Sequence, residues 1–171
     1  AADQATDLKI EFKNGVPVAI NGKSMTPAQL IIQMNKYAGD NGVGRIDIME
    51  DRMLGLKVRE NYECPGAMVL LNAHKALEAL VLTRDELRFK EKVDAQWSEL
   101  AYQGLWWDPF KDDLEAFIKQ TQKRVSGNVN VRLYKGSQTI FGRESPWALY
   151  SEDLASFDTT TFDQRESRSE E

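Results

Sequence analysis

The chain has 171 residues, 42% hydrophobic and 29% charged, which fits one globular domain able to bury a core. Its formal net charge of -5 argues against nucleic acid as a general partner, because gripping phosphates takes a basic face. No apolar run approaches the ~20 residues of a membrane span, no signal-peptide pattern opens the chain, and the one cysteine, Cys64, allows no internal disulfide.

In chain order, Ala1 to Asp7 is small and polar and reads as a frayed end or a cut in a longer protein. Leu8-Lys9-Ile10-Glu11-Phe12 alternates apolar and polar residues, Asn14-Gly15 suits a tight turn, and Val16 to Ile20 follows, so a hairpin is expected. Thr26-Pro27-Ala28-Gln29 opens a helix with a capping box and a proline at its first position; Leu30, Ile31, Met34 and Ala38 form its inward face. Gly39 ends that helix.

Gly42 to Pro65 is the densest run of special residues. Ile46-Asp47-Ile48-Met49-Glu50 alternates as a half-buried strand does, with Ile46 and Ile48 facing one way and Asp47 and Met49 the other. A charged turn and then Lys57, Arg59, Tyr62 and Glu63 follow. Carboxylates, guanidiniums and a phenol against an apolar backing are what a polar ligand needs.

Ala67 to Leu82 is apolar at helical spacing, through Leu71, Ala76, Leu77 and Leu80, with His74 inside it. Thr83-Arg84-Asp85-Glu86 is a second capping box, and Leu87, Val93, Trp97, Leu100 and Ala101 make the stripe of the helix it opens, up to Gly104. Asp108-Pro109 starts another, whose stripe is Phe110, Leu114, Phe117, Ile118 and Val125. The period then switches to two: Val129, Val131 and Leu133 alternate with polar partners, Lys135-Gly136-Ser137 turns, and Gln138 to Gly142 returns. Ser151-Glu152-Asp153-Leu154 reads as a helical turn, and the polar end as a mobile tail. Strands at both ends and helices between them predict an α+β fold, an antiparallel sheet from terminal hairpins with helices on one face.

Taken as chemistry alone, Glu50 could serve a ligand or simply pair with Arg52, and Tyr62 could be a site phenol or a core-edge aromatic. Arg45, Arg52, Lys57 and Arg59 could orient anions or hold Asp47, Asp51 and Glu63. His74, the lone histidine, reads as a satisfied core residue, and with Cys64 the only thiol a His/Cys metal site is not expected. No catalytic residue stands out. Trp106, Trp107 and Trp147 read as core or interface aromatics.

The central run, with Gly44-Arg45-Ile46-Asp47-Ile48, Glu50, Arg52, Gly55, Lys57, Arg59, Tyr62-Glu63 and Pro65-Gly66, resembles the carboxy-terminal domain of argininosuccinate synthase. Gly104-Leu105-Trp106, Leu133-Tyr134-Lys135-Gly136 and Gly142-Arg143-Glu144-Ser145-Pro146 match in the same order, so the resemblance runs from about Leu8 to Gln164, leaving 165–171 as a charged tail. The resemblance implies that Glu50 and Tyr62 help hold citrulline, with Arg45, Arg52 and Arg59 as possible supports, and that the domain supplies subunit interface. It implies an ATP-dependent condensation of citrulline with aspartate, in which the ureido oxygen attacks the α-phosphorus and the aspartate amine then displaces AMP. ATP and magnesium would belong to an amino-terminal domain with an SGGLDTS-type loop, which this sequence lacks, so the chain is expected to be inactive alone. Cytoplasm is the expected compartment, with plastid stroma as the alternative. A non-catalytic interaction subunit reusing the fold is the competing reading. One departure is local: the family usually has glycine after the arginine matching Arg59, and here the sequence is Glu60-Asn61.

Overall fold

The structure is a computed structural model, and residues 1–150 are described. The expected turn at Ser151 to Leu154 and the expected tail at 165–171 lie outside them. Alternation puts Leu8, Ile10 and Phe12 of β1 (Thr6–Lys13) on one side, and Val129, Val131 and Leu133 of β6 (Gly127–Tyr134) on the same side. The two strands pair antiparallel, with Ile10 opposite Val129 and Leu8 opposite Val131, so the apolar residues make one continuous face. β2 (Val16–Ile20), the short β3 (Lys23–Ser24) and β7 (Ser137–Glu144) complete a five-stranded sheet in the order β3-β2-β1-β6-β7. The two terminal hairpins are thus joined through β1 and β6.

Two helices cover that face. α1 (Pro27–Asp40) brings Leu30, Met34 and Ala38, and its capping box at Thr26 and Gln29 is formed in both directions. α2 (Pro65–Val81) brings Val69, Ala73, Leu77 and Val81, all essentially water-free. At about 25 cal/mol per Å² of apolar surface removed from water, this sandwich supplies most of the drive to fold. Leu71, expected on the buried stripe, is exposed instead, because Val69, Ala73 and Leu77 define the inward face. The fold is the expected α+β class.

α3 (Arg84–Tyr102) and α4 (Pro109–Gln122) pack against each other and join the body through Leu87 on the core and through polar contacts of Lys90 and Gln122 with Glu78. α4 ends before Val125, which lies fully buried in the following turn and gives its carbonyl to Gly15 N–H at 2.7 Å. The amino end is not frayed: Ala2 N–H donates to Asp40 O at 3.0 Å, and Asp7 makes two 2.7 Å bonds to Arg132. Among the described residues no helix is long and apolar enough to cross a membrane.

On α4, Glu115 receives Lys111 Nζ at 2.8 Å and Lys119 Nζ at 2.7 Å. These two ammoniums, Lys111 first, pull its carboxyl from the usual 4.5 down to about 2. A pKa lowered in the folded state contributes stability that is complete above the unfolded value and fades as pH falls through the folded one. The substitution Glu115→Gln is therefore expected to lower the urea midpoint slightly near neutral pH, with the deficit shrinking below pH 4.5 and gone by about pH 2.

Candidate functional site

Between α1 and α2 the chain makes a separate two-stranded arm, β4 (Arg45–Asp51) with β5 (Lys57–Glu63). The expected half-buried strand is in fact largely in water: Met49 is 60% exposed and Leu54, at the tip, 90%. The reason is topological, since among the described residues β4 pairs only with β5 and no helix lies across either of its faces as α1 and α2 lie across the main sheet. The root of the arm is fixed. Gly44 has φ of +110°, and a Cβ there would lie 2.2 Å from Pro65 Cα, so only glycine lets the head of β4 lie against the start of α2.

Register decides which side chains meet. Ile46 faces Tyr62, Ile48 faces Glu60, and Glu50 faces Val58, so these six share one side of the arm. Arg45 opposite Glu63, Asp47 opposite Asn61, and Met49 opposite Arg59 share the other. The first side gathers Glu50, Tyr62, Arg52 and Glu60. The Tyr62 hydroxyl reaches Glu50 Oε1 at a long 3.5 Å. Arg52 Nη1 lies 3.3 Å from Glu50 Oε2, and its Nη2 is in tight contact with Glu60 Oε1. Glu50 Oε2 is shut off from water and, among the described residues, accepts no hydrogen bond. Loss of hydration raises the Tyr62 phenol above its ordinary pKa, and the charges of Glu50 and Glu60 raise it further, so it stays protonated and can donate.

Arg45 and Arg59 are on the opposite side. Arg59 grips the Asp47 carboxylate through Nε at 2.9 Å and Nη2 at 2.5 Å, and Arg45 lies 3.6 Å from Glu63. A groove of about 240 Å³ runs along the root of the arm, bordered by Arg45, Ile46, Asp47, Asn61, Tyr62 and Glu63. Tyr62 is the residue common to this groove and the Glu50 cluster.

The sequence matches a family model for the argininosuccinate synthase C-terminal domain over residues 1–169. The chain belongs to the argininosuccinate synthase C-terminal domain family. The argininosuccinate synthase of Methanocaldococcus jannaschii is 62% identical over 159 residues, covering 93% of this chain and 40% of that protein. That of Methanococcoides burtonii is 59% identical over 96% of this chain, and that of Archaeoglobus fulgidus 54% identical over 96%. The chain thus spans about 40% of the length of the curated argininosuccinate synthases it matches.

Gly44 is closed by the Pro65 backbone, and its carbonyl accepts from Cys64 N–H at 2.8 Å. Among the described residues no group of three or more His, Cys, Asp or Glu side chains could hold a metal ion. His74 bonds through Nε2 to Gln122 Oε1 at 2.8 Å, and Ser145 Oγ donates to Ser126 O at 2.6 Å, so both serve the scaffold. Trp107 is 89% exposed and is not a core aromatic, while Trp106 packs edge-on against Trp97.

Two contributors escaped the sequence reading. Glu60 was seen only as a departure from the family pattern, yet the register puts it beside Arg52. Tyr102, at the end of α3, places its hydroxyl 3.5 Å from Asp51 O and so touches the arm from the body. Glu60 could have been found had 57–63 been read as a strand; Tyr102 carries no local signal.

Proposed function

We propose that this chain is the C-terminal domain of an argininosuccinate synthase and forms part of the wall that holds citrulline. The observation that carries this reading is the Glu50–Tyr62 pair on one side of the arm, with Glu50 Oε2 unused by any hydrogen bond among the described residues. An α-amino acid is a zwitterion, so its ammonium needs an acceptor and its polar end a donor. Glu50 supplies the acceptor and the protonated Tyr62 the hydroxyl. Two carboxylates against one guanidinium leave this side of the arm negative, which favours an ammonium. ATP and magnesium belong to the N-terminal nucleotide-binding domain, and this chain by itself performs no chemistry. The exposed tip residues Met53, Leu54 and Leu56 support a further role in subunit contact.

The test uses the chain joined to its nucleotide-binding domain. Glu50→Gln is expected to raise KM for citrulline about tenfold to a hundredfold, and Tyr62→Phe by less, with KM for ATP unchanged. The isolated chain is expected to release no pyrophosphate from ATP in the presence of citrulline and aspartate. Unchanged citrulline KM in both variants would sink the reading and favour the interaction-subunit alternative.

A further inference from the structure

We propose that Glu60 is a positioning residue that draws the Arg52 guanidinium off Glu50 and so leaves Glu50 Oε2 without a hydrogen bond of its own. The inference rests on the citrulline-wall reading of the Glu50–Tyr62 pair. Its starting point is a competition visible in the geometry. Arg52 has a planar fork of donors suited to clasping one carboxylate with two parallel bonds, and Glu50 is the carboxylate beside it. That clasp is not made. Nη1 stands 3.3 Å from Glu50 Oε2 without the alignment of a hydrogen bond, while Nη2 is committed to Glu60 Oε1. The guanidinium is shared between two acids, and the nearer one is Glu60.

The sharing follows from register. Glu60 lies opposite Ile48, two residues before Glu50 on the same side of the arm, so its carboxylate reaches Arg52 from across the strand pair. Arg52 is pinned at its backbone: its N–H donates to Leu56 O at 2.8 Å and its carbonyl accepts from Gly55 N at 2.7 Å. With its backbone fixed, the guanidinium has Glu50, Glu60 and the Tyr102 hydroxyl within its reach. Remove Glu60 and the fork is free to close on Glu50, using both of its oxygens and cancelling its charge. A ligand ammonium would then have to displace a guanidinium before it could bind.

Charge points the same way. With Glu60 present the three groups sum to one negative charge; without it they sum to zero. Glu60 also helps keep the Tyr62 phenol protonated. A residue without a carboxylate at this position would offer Arg52 no second acid.

The decisive experiment is a cycle of four proteins assayed with the nucleotide-binding domain attached: the parent, Glu60→Ala, Arg52→Met, and the two together. Glu60→Ala is expected to raise KM for citrulline about three- to fivefold with kcat little changed, as loss of a partly exposed ion pair allows. Adding Arg52→Met should reverse most of that rise, because the competitor for Glu50 is gone. Glu60→Asp should recover the parent KM in part. A merely structural role for Glu60 predicts the opposite order, with the double variant worst, and that result would overturn the proposal. So would Glu60→Ala leaving KM within experimental error of the parent. Failure of the underlying reading shows separately, as no effect of Glu50→Gln on citrulline KM in the same assay. The isolated chain gives a second readout: in nitrogen-15 spectra of Glu60→Ala, restricted rotation of the Arg52 guanidinium should persist through its new clasp on Glu50. It should vanish when Glu50→Gln is added. Free rotation in Glu60→Ala would overturn the switch of partners.

Discussion

Glu78→Ala is expected to destabilise the domain by about 3 kcal/mol, the low end for breaking a buried ion pair. Glu78 sits on the side of α2 that meets α3 and α4, and its side chain is only 7% exposed. Its Oε1 receives Lys90 Nζ at 3.0 Å and Gln122 Nε2 at 2.6 Å, with His74 Nε2 at 3.8 Å. One carboxylate therefore ties three helices together. Lys90 is buried as deeply as its partner, yet it stays charged. Burial alone would lower its pKa, but Asp94 at 2.6 Å and Glu78 outweigh that and hold it above the ordinary value. With alanine at position 78 the ammonium keeps Asp94, which limits the loss, and Gln122 Nε2 keeps only Thr121 Oγ1 at 3.3 Å. A loss of 3 kcal/mol corresponds to roughly 6 to 12 °C in Tm for a chain of this size. Urea and thermal unfolding measure it directly. Replacing the pair together, Glu78→Leu with Lys90→Met, should regain most of the loss, because two apolar side chains leave no orphaned charge. A single variant within 1 kcal/mol of the parent would mean that water enters this junction.

That junction also marks where the sequence stops being legible. The hairpins, α1 and the two capping boxes were readable, because each rests on neighbours a few residues apart: Thr26 on Gln29, Thr83 on Glu86, Leu8 on Ile10 and Phe12. Glu78 was passed over, since a single glutamate in an apolar helix looks like a solvent-facing residue until Lys90 and Gln122, 12 and 44 positions later, are brought to it. Val125 continues the period of α4; a buried turn whose carbonyl accepts from Gly15 N–H has no periodic signature. In the candidate site, Glu50 and Tyr62 were singled out through resemblance, and the strand pairing brings them together across 12 residues. The split of the arginines was not legible. Arg45, Arg52 and Arg59 look alike in sequence, and the register puts Arg45 and Arg59 on one side while Arg52 turns to Glu50 and Glu60 on the other. Strand exposure was misjudged for a related reason. Alternation says that a strand has two unlike faces, but not whether any helix will cover either of them.

The arm has one rigid joint, and Gly44→Ala should break it at a cost of about 3 kcal/mol or more. Two penalties add at this position. The backbone φ of +110° is one that a residue with a side chain rarely adopts, and the new methyl would stand 2.2 Å from Pro65 Cα and 2.5 Å from Pro65 N. Both of those atoms are backbone at the start of a 17-residue helix whose inward face is part of the core, so the helix cannot yield. The head of β4 must move instead, which also pulls Gly44 O away from Cys64 N–H. The comparison that isolates this effect is Gly55→Ala at the tip of the same arm. Gly55 has φ of +78° and open space around its Cβ position, so it pays the backbone penalty of roughly 1 to 2 kcal/mol and no more. Tm should accordingly fall by about 6 °C or more for Gly44→Ala and by less for Gly55→Ala. The functional consequence separates them further. Moving the root re-aims Glu50 and Tyr62 together, so under the proposed citrulline-wall role Gly44→Ala should weaken citrulline binding in the assembled protein even at temperatures where it remains folded. An equal loss from both variants would show that the close approach at Pro65 relaxes without moving the strand, and would leave the arm hinged and not fixed.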